Sequence, residues 1–572
     1  LPTGHNTITV TPGTGGSTTM TFASLSRTAG ATALFRGTDM RSAAGANVST
    51  LIFTAAPTLT GAGGAEGTTT MSVLKGAFGD TSLSGTGSDM VTVISNKLSP
   101  LASGEYTGDL QTANANVKLT ADRAAAAVNT NSLILNGFGI TNPGGAVTLP
   151  ISSASLSGNI LINSANNIAG ANTTLGITTT ELPILATTDS IISATIGTAT
   201  TGSVTLSGTG NVTLNATNPY TSTTFINGAT LTYGTNNALS SGGVTMRGGT
   251  YNLAGNSDTI GALSLTGSTV TTGAGTLTGN GSFTTATNAN HASTISGNLG
   301  LGANATFTIG DGLMDNDAII YAVVSGGFTF AKAGTGVLIL AGSNTYTGAT
   351  TISAGTLRLG APGGATNTPL GTTAGGTTVT GASSVLDLNG HTLGTTEALT
   401  LSGALAAGAL QNTSSTDVSY NGQIVLGAAS TIIANYGDIN ITATGNITGN
   451  TFGLTIGGVG NGTLSSNLNT TTGTLTKNGA GLWTISGGAS TFTGAITISA
   501  GTLKLGSSGS GSNTPLGTSA GGISITSGAI FDLNGFTLAT AEALAINGTG
   551  IASIGAFINS SNNSISYSGV IT

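Results

Sequence analysis

Residues 345–360 read TYTGATTISAGTLRLG, and residues 491–506 read TFTGAITISAGTLKLG. Thirteen of the 16 positions are identical, and the three exchanges are Tyr346/Phe492, Thr350/Ile496 and Arg358/Lys504. The match continues outward: NTPLGT recurs at 367–372 and 513–518, and DLNG at 387–390 and 532–535. Long internal repeats made of short β-type phrases mark a solenoid, in which each unit buries its apolar face against the next. A fainter copy lies upstream, where Tyr220, Ile226, Thr230, Leu231 and Gly234 align with Tyr346, Ile352, Thr356, Leu357 and Gly360.

Within each copy the apolar residues fall at every second position, which places them on one face of a strand. Aligning Lys332-Ala-Gly-Thr-Gly with Lys477-Asn-Gly-Ala-Gly puts Leu338 with Trp483 and Leu340 with Ile485 on the inward face. Ile352 and Leu357, with Ile498 and Leu503, continue that face into the next two strands. SLILNG (132–137), GSVTLSG (202–208) and GNVTLNA (210–216) read the same way. Strands of about four residues joined by Gly-rich turns suit a coil whose strands pair one turn apart. The fold class expected is all-β: a parallel β-solenoid of roughly 20–25 residues per turn.

Composition agrees. Of 572 residues 93 are Gly, only 31 are charged (12 basic, 19 acidic), and there is no Cys. Disorder is disfavoured because Ile, Val and Leu recur in alternation. Zero Cys removes disulfides and thiolate metal sites. The net charge of −7 argues against a nucleic-acid partner, which needs a basic stripe. No stretch of about 18 apolar residues exists, so no transmembrane helix is expected.

Seven of the 12 basic and seven of the 19 acidic residues lie at or before Arg123. We therefore expect residues 1–125 to form an N-terminal cap or irregular β region, because terminal units of solenoids are atypical. Residues 126–572 are expected to be solenoid, with repeats near 204–265, 332–424 and 477–571. Residues 555–571 match 408–424, after which the earlier copy continues into further strands, so the chain is expected to stop in mid-repeat.

The phrase KAGTGVLILAG followed by TYTGATTISAGTLRLG resembles the autotransporter-associated β-strand repeat, also called the passenger-associated transport repeat. NSLILNG in the N-terminal half is similar to the large repeat proteins of this kind in planctomycete- and verrucomicrobia-like bacteria. The resemblance implies a right-handed parallel β-helix exported to the surface of a double-membrane bacterium. Nothing here resembles the outer-membrane barrel that ends a standard autotransporter.

Chemistry is sparse. His5, His291 and His391 lie far apart and read as exposed turn residues. Asp311, Asp315 and Asp317 form the densest acidic cluster, a weak Ca²⁺ candidate without the EF-hand or β-roll pattern. Asp387 and Asp532 stand on positions read as outward, with Glu397 and Glu542 ten residues later, and recur with the repeat. A surface or loop role suits them better than the paired carboxylates of a glycosidase. Tyr220, Tyr346 and Phe492 are read as aromatics capping a corner. No catalytic residue and no cofactor is expected.

The function expected is an extracellular structural protein, a fibre or layer subunit that associates with itself into a homopolymer. Its open edges are expected to pair through NTITVTPG at 6–13 (Asn6, Ile8, Val10) and SISYSGVIT at 564–572 (Ile565, Tyr567, Val570). The alternative is an adhesin stalk that contacts a surface or glycan; a polysaccharide-active enzyme ranks below both.

Overall fold

The computed structural model describes residues 1–572 apart from 143, 154–155, 171, 178–179, 198–201, 240, 287–290, 404–407 and 444. The described residues hold strands and two short 3₁₀ turns, Ser103–Glu105 and Ile551–Ser553, and no α-helix. No helix among them could cross a membrane, which leaves β-barrel spans untouched. The protein is a parallel β-solenoid, divided into two compact units: residues 1–286 with 293–299, and residues 287–292 with 300–572.

In the first unit the coil rests on two long parallel ladders, with a short third of Val147–Pro150, Thr173–Gly176 and Thr195–Ile196. One runs from Ala115–Lys118 through Thr130–Leu135, Asn159–Ile162, Glu181–Ala186, Ser203–Gly208, Thr224–Asn227 and onward. Ile226 pairs with Met246, Met246 with Leu265, and Leu265 with Thr285. These equivalents stand 19 to 20 residues apart, one turn of chain each. The second ladder includes Asn211–Leu214, Thr230–Tyr233 and Thr250–Asn252, with Val212, Leu231 and Tyr251 stacked inward.

Residues 4–100 fold differently. Seven strands make a mixed sheet in the order Gly4–Val10, Ala31–Gly37, Ala77–Asp80, Asp89–Ile94, Lys97–Pro100, Ser49–Phe53, Thr18–Phe22. One face packs on itself around Val10, Phe35, Leu51 and Phe53. The other carries Leu34, Phe78 and Met90 against Ile134, Leu161 and Leu185 of the first ladder. So this sheet lies along the flank of the coil. Between this sheet and the coil, Thr107 makes a parallel bridge to Val117 on the strand Ala115–Lys118.

The flank contact explains a failure of simple alternation. Leu133, Ile134 and Leu135 are all buried, because the sheet covers the outward face of these turns. Continuous apolar runs of this kind signal strands covered on both faces. Polar locks fix the contact: Arg27 Nη2 and Gly30 N donate to Glu181 Oε1 at 2.5 and 3.1 Å, and Asn159 Oδ1 accepts from Gly76 N at 2.8 Å.

In the second unit the two strong copies stack in different places. Phe330–Ala333, which holds Lys332, pairs with Ala305–Ile309 and Thr350–Ile352, and Val337–Leu340 lies in the neighbouring ladder with Gly355–Leu359. Following that neighbouring ladder through Ser384–Asp387, Leu410–Asn412, Ser430–Ala434 and Leu454–Gly458 leads to Leu475–Lys477. Lys477 therefore stacks in line with Leu338 rather than with Lys332. Trp483 belongs to a third ladder that begins at Val418–Tyr420. The chain inserts this third face between the copies, so the later copy is turned by one face.

Candidate functional site

The repeats bury several of their ionisable and aromatic residues, among them Lys332, Tyr346, Lys477 and Phe492. Lys332 is fully buried, and its Nζ donates to the carbonyls of Ala333, Gly334 and Ala354 at 3.0, 2.8 and 3.0 Å. Lys477 repeats this on Asn478, Gly479 and Ala500 at 2.9, 2.7 and 3.0 Å. Gly334 and Gly479 have φ of 74° and 73°, a conformation that a Cβ resists. Burial lowers both amines to about 8, Asp317 opposing this at Lys332, so at neutral pH each is mainly the ammonium its three acceptors require. The fainter copy has Leu206 at this place, buried and uncharged.

Asp387 and Asp532 keep the outward strand positions expected of them, in register with Arg358 and Lys504, but they are buried rather than exposed. Asp387 Oδ2 accepts from Arg358 Nε at 2.9 Å and from the Thr413 hydroxyl at 2.6 Å, and its Oδ1 accepts the amides of Asn389 and Thr413. Asp532 accepts from the Ser560 hydroxyl and from the amides of Asn534 and Ser560, with Lys504 3.9 Å away. The Arg358/Lys504 exchange thus keeps the cation beside the carboxylate.

Glu397 and Glu542 lie in loops, one of the two roles expected of them, but both are buried rather than at the surface. Thr377 donates to Glu397 Oε1 at 2.9 Å, and Oε2 has no partner among the described residues. Burial pushes this carboxyl up to about 7, against an ordinary value of 4.5, and raises that of Glu542. A folded-state value above the unfolded one means stability that is complete below about 4.5 and is lost as pH rises through about 7. Glu397→Gln should therefore flatten part of the pH profile. The difference in unfolding free energy between wild type and variant should change by on the order of 3 kcal/mol from pH 4.5 to 7. Taking the difference removes His5, whose lowered value works in the opposite direction. Parallel pH profiles for the two proteins would refute the assignment.

The aromatic position is internal as well. The Tyr346 and Thr350 hydroxyls meet at 2.7 Å, as do those of Tyr220 and Thr224, all four side chains being buried. In the later copy the same two places hold Phe492 and Ile496. What reads as two separate exchanges is one: both polar atoms disappear together, which leaves no buried hydroxyl unpaired. Tyr346→Phe and Thr350→Ile should each cost about 1 kcal/mol or more, and the double variant less than their sum. A double-mutant cycle with coupling indistinguishable from zero would rule this out.

Other expected sites are scattered. Leu338, Leu340, Ile352, Leu357, Trp483, Ile485, Ile498 and Leu503 are all buried. Asp317 is buried with its carboxylate on the amides of Gly312 and Val337, at 3.0 and 2.8 Å. It is not joined by Asp311 and Asp315: among the described residues no group of three His, Asp or Glu could hold a metal ion. His291 is exposed, His391 is partly buried, and His5 sits in the strand Gly4–Val10 with Nδ1 2.8 Å from the Thr32 hydroxyl. Burial, and secondarily Arg36, lowers His5 to about 4.

Of the residues expected to mediate assembly, Val10 and Ile8 pack into the N-terminal sheet, and the Asn6 amide donates to the carbonyls of Pro2, Gly4 and Thr32. Their strand is nonetheless the end member of its sheet. Tyr567 donates to the Glu542 carbonyl at 2.7 Å, Ile565 is half-buried and Val570 is exposed. Leu544 N donates to Val570 O, which carries the ladder on by one turn.

An open groove of about 640 Å³ crosses the first unit beside Asp122 and Asp189. Each carboxylate already accepts a backbone amide, from Gly139 and Asn211 respectively, at 2.8 and 2.9 Å. The groove supplies no matched acid and base.

The family model described as passenger-associated-transport-repeat matches the chain three times, at residues 204–232, 330–359 and 475–505. These are the two strong copies and the fainter one. No curated protein and no solved structure gives a significant match. The chain carries three passenger-associated transport repeats on a β-solenoid.

Proposed function

We propose that the protein is an exported, non-enzymatic, passenger-like surface protein of a double-membrane bacterium whose solenoid serves as a structural element. One observation carries this reading. The charged residues of the two strong repeats are spent on the coil itself: the inward ammoniums of Lys332 and Lys477 on carbonyls, the buried carboxylates of Asp387 and Asp532 on amides, hydroxyls and the neighbouring cations. Groups satisfied in this way specify a scaffold. The three repeat matches add the association with passengers. Protease treatment of intact host cells should degrade the protein while sparing internal markers. Full protection would place it inside the cell and end the reading.

The finer form of the proposal is self-association into a homopolymer by edge pairing. The strand Gly4–Val10 offers an end-member edge with Thr7 and Thr9 exposed, and the segment holding Ile565, Tyr567 and Val570 is the counterpart. Heterologous pairing of this type does not close and yields filaments. Light scattering and negative-stain images should show growth with concentration, abolished when Thr7→Lys and Thr9→Lys charge the edge. A particle of constant mass at every concentration would dismiss the polymer. An adhesive stalk is the second reading, favoured by the exposed aromatics Tyr321, Phe328 and Tyr436 in the second unit.

A further inference from the structure

Where the N-terminal sheet meets the flank of the coil, a cavity of about 330 Å³ remains. His5, Arg36, Thr187, Asn227 and Arg247 are among the residues lining it, and no lining residue is an Asp or Glu. Three lining side chains keep buried polar atoms without a hydrogen-bond partner: Arg36 Nε, Arg247 Nη1 and Asn227 Oδ1. The chain as a whole is acidic, yet neither arginine has an ion-pair partner among the described residues.

The nearest carboxylate by strand register is Asp80, which lies opposite Arg36. Its oxygens are held by the amides of Ser82 and Gly87, at 2.8 and 2.9 Å. The Asn227 orientation is equally well fixed. Its Nδ2 donates to the Gly30 carbonyl at 2.8 Å and to the Ser207 hydroxyl at 3.2 Å, so the oxygen is the free atom. His5 adds no charge at pH 7, since burial and then the Arg36 cation hold it at about 4. Thr32 donates its hydroxyl proton to Ser207 at 2.7 Å and so accepts from His5 Nδ1. The neutral ring then presents Nε2 as a second acceptor.

Two guanidinium groups lacking a counter-ion, beside unfilled acceptors, call for a particular kind of guest. Buried donors of this charge are matched by an oxyanion, and guanidinium is the side chain best shaped for one. Spare acceptors are matched by hydroxyl groups. The volume lies at the lower end of the small-molecule range.

We propose that this cavity binds a small oxyanion, a carboxylate, sulfate or phosphate, carried on a hydroxylated unit such as an acidic sugar. Arg36 and Arg247 hold the anionic group, and Asn227 accepts from a hydroxyl. The free anion shares the first half of this chemistry, and titration separates the two sources. The inference is independent of where the protein resides and of whether it polymerises.

Isothermal titration of the full chain with D-glucuronate, inorganic phosphate and glucose tests it. Glucuronate and phosphate should bind and compete, with glucuronate tighter if the guest is sugar-borne and phosphate tighter if it is the bare ion. Arg36→Gln and Arg247→Gln should each weaken both at least tenfold. Arg123→Gln should not: its Nε is also buried and unpartnered, but it lies outside this cavity. Arg247→Lys, which retains the charge, should weaken binding less than Arg247→Gln, and thermal midpoints without ligand verify that each variant folds. Absence of binding by glucuronate and phosphate to the wild type, equal loss in Arg123→Gln, or glucose binding as well as glucuronate would each overturn the proposal.

Discussion

Lys332→Met is expected to lower the stability of the second unit by about 3 kcal/mol or more. The substitution keeps the apolar stem and removes only the ammonium. Three partly buried carbonyls, those of Ala333, Gly334 and Ala354, then lose this donor at once. Each unsatisfied buried group costs on the order of 1–3 kcal/mol, partly recovered by relaxation or entering water. Lys477→Met should behave alike, and the double variant should show the sum, because the two lysines share no hydrogen-bond partner. Denaturant titration followed by Trp483 fluorescence is suitable, since that side chain is fully buried and is the only Trp in the chain. A midpoint unchanged in Lys332→Met would mean that the ammonium merely fills space.

Asp387→Ala is the second large effect, expected at about 3–5 kcal/mol, the range for breaking a buried charge pair from one side. The variant removes the charge partner of Arg358, whose guanidinium keeps only Asn316 Oδ1 and part of the solvent, and leaves the Thr413 hydroxyl and two backbone amides without their acceptor. Arg358→Lys reproduces the pairing of the later copy, where Lys504 stands 3.9 Å from Asp532, and should cost well under half as much. Equal losses in the two variants would show that Arg358 geometry, rather than the carboxylate, holds this turn together. Thermal unfolding of both proteins side by side decides the matter.

The sequence was most informative where a strand has one dry face. Period-two alternation is enough to turn Leu338, Trp483 and Ile498 inward, because side chains on a pleated strand have only two directions to choose from. It misled at the charged residues. Asp387 and Glu397 read as surface groups because carboxylates seldom lie buried unless paired, and partners such as Thr413 and Thr377 come from turns 26 and 20 residues away. Lys332 served only as a motif marker. Its role depends on which way the carbonyls around Gly334 face, and that is a backbone property. The flanking sheet had a visible trace in SLIL, NILI and LPILA, where alternation gives way to continuous apolar residues. The third ladder left no such trace, since it arises from how many strands each turn takes up.

That third ladder bears on how a chain with near-duplicate segments avoids threading itself wrongly. If both copies stacked on the same ladder, residues 475–505 could occupy the berth of 330–359 with little immediate cost, the hazard typical of repeat proteins. Because the later copy is turned by one face, an exchange would present every following strand to a ladder other than its own. Duplicated text is thus kept legible by being set at a different angle, and the insertion between the copies acts as a key that only one order of assembly can turn.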